Sequence, residues 1–372
     1  MISRKTLQAL LKTRQSPAVS LFMPTHPVGP EMRKDAIRLK NLLSEAERRI
    51  ADKALFERIA APLLPLAEAR EEPWREMQAG LAAFLTADHA TLLKLPQRVE
   101  EDLFIADRFI VRPLIPYLPD GRHFYLLAAN QKMATLYEGN ADALWTVREG
   151  AFEESFSAIL DRTELPGEVG FHTAGSSSTY HAAGEAREDY MKRALSRYAM
   201  GIAKVVDGLL AAETDPLILV AEPTLLGLLR EWLHYRGVVD EAIAKDPEGI
   251  DDDRLHAAAL ERLAPQREAR IQEALDRFHA HDCEKTTIEA QAVLRAACEG
   301  AVTLLLLAEG GELWGRFDPA SGVARFDPAR REDSDDLVDL AIHGTLAQGG
   351  EVLVLPAARM PQQATMAALL RY

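Results

Sequence analysis

Apolar residues along the chain alternate between two spacings, and the changes of spacing set out the elements. Largely apolar runs at 124–130, 216–221 and 301–307 predict buried strands, and 351–356 a further strand. Residues 134–139 predict a hairpin partner for the first of these, joined through 131–133, with 143–147 as a third strand. Near the N-terminus, 19–23 predicts a strand stopped by Pro24, and 80–85 and 90–95 two more. A last strand is expected at 364–372. Helical spacing appears at 1–15 and at 31–55, where Ile37, Leu39, Leu42, Leu43, Ala46 and Ile50 form the apolar stripe. It recurs at 225–235, at 253–280 with an interruption near Pro265, and at 287–299. A further helix is capped by Ser334, with Asp335 and Asp336 in its first turn and Gly349-Gly350 at its end.

The strongest helix runs from 185 to 212. At 100° per residue Met191, Leu195, Tyr198, Ile202, Val205, Val206 and Leu209 share one face, which should lie on a sheet. Tyr190, Arg193, Arg197 and Lys204 share another. Helices alternating with buried strands predict a multidomain chain of layered α/β class. Turn-rich residues at 117–121 and 249–253 divide it into 1–118, 119–249 and 250–372.

Composition narrows the picture. The 372 residues are 48% hydrophobic and 27% charged, as in ordinary globular proteins. No run approaches the ~20 apolar residues of a membrane span, and the first residues lack a signal peptide's apolar core. Two cysteines, Cys283 and Cys298, make no disulfide framework, so a reduced, cytoplasmic protein without a membrane partner is expected. A net charge of −14 disfavours broad nucleic-acid binding, and no DNA partner is expected. A local basic patch could still dock on RNA.

Such a patch is found in one place. Residues 170–184 form a long loop dense in small residues, hydroxyls and imidazoles, with Gly170, His172, Gly175, Ser176, Ser177, Ser178, Tyr180 and His181 as the candidate contact residues. The helix that follows carries a basic edge of Arg187, Lys192, Arg193, Arg197 and Lys204, fit to meet phosphates from a fixed scaffold. A solvated face paired to Glu185, Glu188 and Asp189 is the plainer alternative. Ser177 with His172 or His181 could make a nucleophile–base pair for an ester hydrolase, but no acid partner can be named. His279, His281 and Cys283 alternate as metal ligands might, yet no second cluster accompanies them, and helix capping accounts for Asp251-Asp252-Asp253. Neither a metal nor a cofactor is expected, and no catalytic residue is assigned.

Several segments resemble the bacterial archaeo-eukaryotic release factor family, relatives of class-1 peptide-chain release factors and Pelota. They are 19–26 with 37–43, the central strand pair with its loop, long helix and 216–221 strand, and then 301–307, 314–318, 349–355 and 367–372. The resemblance implies a family-specific N-terminal α/β part, a central domain of ribonuclease H-like fold, and a C-terminal α/β domain similar to kink-turn-binding ribosomal proteins. It also implies a ribosome or tRNA partner and a role in ribosome rescue or peptide release. In release factors the loop before the long helix of the middle domain carries a Gly-Gly-Gln tip, which helps water attack the peptidyl-tRNA ester. No Gly-Gly-Gln occurs here; the corresponding loop has Gly175-Ser176-Ser177-Ser178, and Gln348-Gly349-Gly350 reads as a helix stop. A non-catalytic binding or scaffold protein remains the alternative from a different class, and oligomeric state is not legible.

Overall fold

The computed structural model describes residues 4–117, 123–147, 152, 156–157, 159, 179–280, 285–331 and 334–372. Of 4–5, 116–117 and 179–188 it describes the backbone alone. The chain forms two compact units, one of residues 1–120 with 269–372 and one of residues 121–268.

The first unit opens with α1 (Arg4–Lys12), β1 (Ala18–Pro24) and α2 (Met32–Arg49). Three short helices follow, α3 (Lys53–Ala60), α4 (Leu64–Glu68) and α5 (Glu72–Arg75). Strands β2 (Gly80–Leu85), β3 (Ala90–Leu95) and β4 (Asp102–Ala106) complete an antiparallel sheet in the order β3-β2-β1-β4. Strand β1 is buried along its whole length because it is interior, with Val19 opposite Leu85 on one side and Ile105 on the other. Leu21, Met23, Leu81 and Ala83 face Leu39, Leu42 and Leu43 of α2, and Phe22 and Phe84 meet edge-to-face on the other side. The strand ends at Pro24, as expected, with that residue opposite Gly80. The stripe of α2 differs from expectation: Ile37 is exposed and Asp35 is buried. Asp35 is satisfied there by the His26 amide at 2.6 Å and by Arg38 at 2.8 Å.

The second unit holds β5 (Phe124–Ala129), β6 (Ala134–Gly139), β7 (Leu144–Thr146), α6 (Thr179–Leu209), β8 (Leu217–Val220) and α7 (Pro223–Trp232). Its sheet order is β7-β6-β5-β8, with β6 antiparallel to both neighbours and β8 parallel to β5. A fifth segment runs parallel to β8, through bridges Leu217–Val238 and Val220–Ile243. Strand order 3-2-1-4-5 with only the second strand reversed is the ribonuclease H-like arrangement. Two asparagines fix the hairpins: Asn130 Oδ1 accepts from the amides of Lys132 and Met133, and Asn140 Oδ1 from those of Asp142 and Ala143.

Helix α8 (Asp252–His279) carries the chain out of the second unit. It runs through Pro265 without interruption, contrary to the break expected there. Leu255, Ala259 and Leu263 on one side of the proline are held in one core, and Ile271, Ala274, Leu275 and Phe278 beyond it in another. Burial on both flanks outweighs the loss of one helical hydrogen bond.

The remainder of the first unit is β9 (Thr286–Thr287), α9 (Ala290–Cys298), β10 (Val302–Ala308), β11 (Trp314–Asp318), β12 (Val323–Asp327), β13 (Asp335–Asp336), α10 (Leu337–Ala347), β14 (Glu351–Leu355) and β15 (Met366–Leu370). One sheet has the order β14-β10-β15-β9, with β10 and β14 parallel; a smaller one has the order β12-β11-β13. Ser334 does not cap α10. Its hydroxyl donates to Asp327 at 2.6 Å, and Asp336 is the cap, accepting from the Asp339 amide at 3.0 Å. Asp339 lies fully buried and accepts from the amides of Val111 and Arg112 at 2.7 and 2.9 Å, beside the Arg108 guanidinium at 3.5 Å. This ties the chain after β4 to the start of α10.

Candidate functional site

The sequence points to the long helix and the loop before it. Helix α6 begins at Thr179, six residues earlier than expected, so Tyr180 and His181 belong to its first turn instead of the loop. The remaining loop candidates, Gly170, His172, Gly175, Ser176, Ser177 and Ser178, lie outside the described residues, as do His281 and Cys283. At a rise of 1.5 Å per residue, the 31 residues of α6 make a rod of about 46 Å.

What seats that rod is its buried stripe: Tyr190, Ala194, Leu195, Tyr198, Ala199, Ile202, Ala203, Val206 and Leu210. They cover one sheet face through Tyr125, Leu127, Leu136, Leu217 and Leu219. The stripe is rotated from the expected one. Met191 is exposed and Tyr190, expected beside the arginines, is buried. The reason is the alanines at 194, 199 and 203, which let the backbone approach the sheet and so carry the contact line that larger apolar residues were expected to carry. Burial pushes the Tyr198 hydroxyl up to about 12, so it stays protonated. The opposite sheet face is covered by Leu255, Ala259 and Leu263.

Further bonds fix the far end of the helix. Trp232 Nε1 donates to Ser196 Oγ at 3.1 Å, and Asp207 accepts from the amides of His234 and Tyr235 at 3.1 and 2.9 Å. With the helix so held, Lys192, Arg193, Arg197 and Lys204 all face solvent. Arg193, Arg197 and Lys204 follow one helical line with Met200 between them, spanning about 16 Å. Arg187 is on the same helix, its side chain outside the described residues. Among the described residues, Lys192, Arg193 and Lys204 enter no ion pair, which removes Asp189 as a described partner for them.

One titratable cluster escaped the sequence reading. His123, just before β5, places Nε2 2.8 Å from Glu138 Oε1 and Nδ1 3.2 Å from Asp215 Oδ2. All three residues are buried. The Nδ1 contact is an ion pair out of line for a good hydrogen bond. Burial lowers the imidazole's pKa, but the adjacent carboxylates of Asp215 and Glu138 outweigh it and raise the value to about 9. The group is thus an imidazolium between two carboxylates from three strand ends, closed to any substrate. No spacing in the sequence signals it, because the residues are brought together by the parallel β5–β8 pairing. Among the described residues no cluster of metal-binding side chains is present, and no helix is long and apolar enough to cross a membrane.

Residues 123–301 match the family model described as bacterial archaeo-eukaryotic release factor family 3. No curated protein matches the chain. Among solved structures, an archaeal translation termination factor is 15% identical, covering 99% of this chain and 96% of its own, with a TM-score of 0.24. Dom34 of S. cerevisiae, a translation termination-like factor, is 13% identical over 79% of this chain and 73% of its own, with a TM-score of 0.32. A chain of ribosome-bound archaeal Pelota with its partner is 10% identical over 98% and 93%, with a TM-score of 0.37. TM-scores this low carry no weight for the whole-chain arrangement. The matched segment takes in the five-segment sheet, the loop and the long helix, and over it the chain is similar to that family.

Proposed function

We propose that the protein is a release-factor-like translation factor that associates with the ribosome or its tRNA, acting in ribosome rescue or peptide release. Residues 170–184 and the basic edge of α6 are its contact surface, and residues 1–118, 119–249 and 250–372 are its three functional parts. The observation that carries this reading is the family match over 123–301, which brackets both the loop and the helix. The exposed line of Arg193, Arg197 and Lys204 supports it, since cations projecting from a helix seated on a sheet suit phosphate contact. With Gly175-Ser176-Ser177-Ser178 where release factors carry Gly-Gly-Gln, the reading is one of engagement and assigns no catalytic residue. The test is co-sedimentation of the protein with ribosomes, wild type against Arg193→Glu with Lys204→Glu. Association of the wild type that weakens in the double variant supports the reading, and identical sedimentation of the two removes the helix from it.

A further inference from the structure

A cavity of about 680 Å³ in the first unit is lined by β4 with the residues before it and by β11 with the turn after β12. Its walls are apolar, with Val99, Phe104, Pro113, Leu313, Trp314 and Pro328 among them. Its charge is one-sided. Five carboxylates line it, Glu100, Asp102, Glu312, Asp327 and Asp336, against two arginines, Arg112 and Arg330. Apolar walls that carry one sign of charge concentrate the opposite sign, so the cavity draws cations and repels phosphate.

The number of carboxylates left free sets how many cations it takes. Asp102 is closed by a bidentate pair with Arg330 at 2.6 and 2.7 Å. Asp336 is held by Arg112 at 2.8 Å and caps α10. Asp327 accepts from the Ser334 hydroxyl at 2.6 Å and has Arg331 3.5 Å away. Two remain. Glu100 is exposed and has no partner among the described residues. Glu312 is exposed as well, and Arg112 lies 3.9 Å from it while already committed to Asp336. An exposed pair of that length neutralises little. Trp314 Nε1 donates to Glu312 Oε2 at 3.1 Å, which holds this carboxylate at the edge of the indole ring.

The rings point to a cation independently of the carboxylates. The Arg330 guanidinium lies 4.5 Å from the Phe104 ring centre and 5.1 Å from that of Trp314, so this wall already stabilises a positive group. A bare metal ion does not suit the remaining space. Among the described residues no group of metal-binding side chains converges, and an ion would leave the apolar walls uncovered. Ammonium groups joined by methylenes suit it better. Each ammonium brings three donors to a carboxylate, and the methylenes cover Val99, Leu313 and Pro328.

We propose that this cavity binds one aliphatic polyamine, with two of its ammonium groups at Glu100 and Glu312 and its methylene stem along Leu313 and Trp314. No residue of the 170–184 loop or of α6 takes part, so the site is independent of the ribosome contact.

The test is calorimetric titration of the full chain, without ribosomes, with spermidine, Mg²⁺ and a lysine hexapeptide. Spermidine is expected to bind saturably, one per chain. Mg²⁺ at equal total charge should displace little of it, because a bare ion gains nothing from the apolar walls. Glu100→Gln with Glu312→Gln keeps the side-chain shapes and an oxygen to accept from Trp314, and is expected to weaken binding about ten-fold or more, the effect of losing charge-assisted contacts. Asp251→Asn with Asp253→Asn removes the same charge from exposed positions at the start of α8 and should bind as the wild type does. No saturable binding of spermidine, equal affinity in the Glu100 and Glu312 variant, an equal loss in the Asp251 and Asp253 variant, full displacement by Mg²⁺ at equal charge, or binding of the hexapeptide alone would each overturn the proposal.

Discussion

His123 and His343 are both buried, and their surroundings push them in opposite directions. The carboxylates of Asp215 and Glu138 hold His123 charged, with its pKa up at about 9 against 6.5 in the open chain. Its stabilisation is therefore complete below pH 6.5 and is lost as pH rises through 9. His343 on α10 has no hydrogen-bond partner at either ring nitrogen among the described residues. Burial first, then the charges of Arg108 and Arg14, depress it to about 4. The neutral ring is tolerated above pH 6.5, and stability falls as pH drops from there toward 4, because the unfolded chain takes up the proton first. Each swing amounts to something on the order of 3 kcal/mol. In denaturant titrations, His123→Gln should cost most near pH 6.5 and progressively less toward pH 10. His343→Leu, of similar volume, should leave stability at pH 7 little changed and flatten the decline between pH 6.5 and 4. Unchanged acid sensitivity in His343→Leu would remove that residue from the account. Neither histidine was legible in the sequence as a titrating group, since each owes its shift to residues distant along the chain.

Strands were the more readable elements, and for a plain reason. The runs that became β5, β8 and β10 are buried on both faces, so every residue reports the same environment. The fifth segment of the central sheet had no such signal: residues 237–243 touch β8 only through isolated bridges, and their apolar residues are scattered. Helix faces were harder still. In α6, alanines set the contact line, and a reading weighted toward large side chains turned the helix by about one residue. Small residues matter likewise between α9 and α10. A methyl group placed on Gly344 would come within 2.5 Å of the Ala297 carbonyl oxygen, a backbone atom that cannot swing aside. Gly344→Ala should therefore destabilise the protein by about 1–3 kcal/mol, despite alanine's better helix propensity, as overpacked helix contacts do. A thermal or denaturant melt checks it; a neutral or stabilised variant would show that the two helices separate without cost.

At the scale of the whole molecule, charge is distributed against its average. In an acidic chain of net −14, Lys192, Arg193, Arg197 and Lys204 stand exposed on a single helix, α6. On the proposed ribosome association, long-range repulsion from RNA and local attraction to phosphate would act together, favouring one docking orientation over general adhesion. The family resemblance was readable because its segments are structural, repeating in sheet strands and helix faces. The candidate contact residues of 170–178 carry no such structural signal, and the Gly-Gly-Gln of release factors is absent from them. The central claim is ribosome association through phosphate contacts, and its most direct test is the affinity of the intact protein for purified ribosomes as salt is raised. Binding should weaken at least roughly ten-fold between about 50 and about 200 mM salt, with a shallower slope in Arg193→Glu with Lys204→Glu. Absence of binding at the lowest salt, or affinity indifferent to salt, would contradict the account.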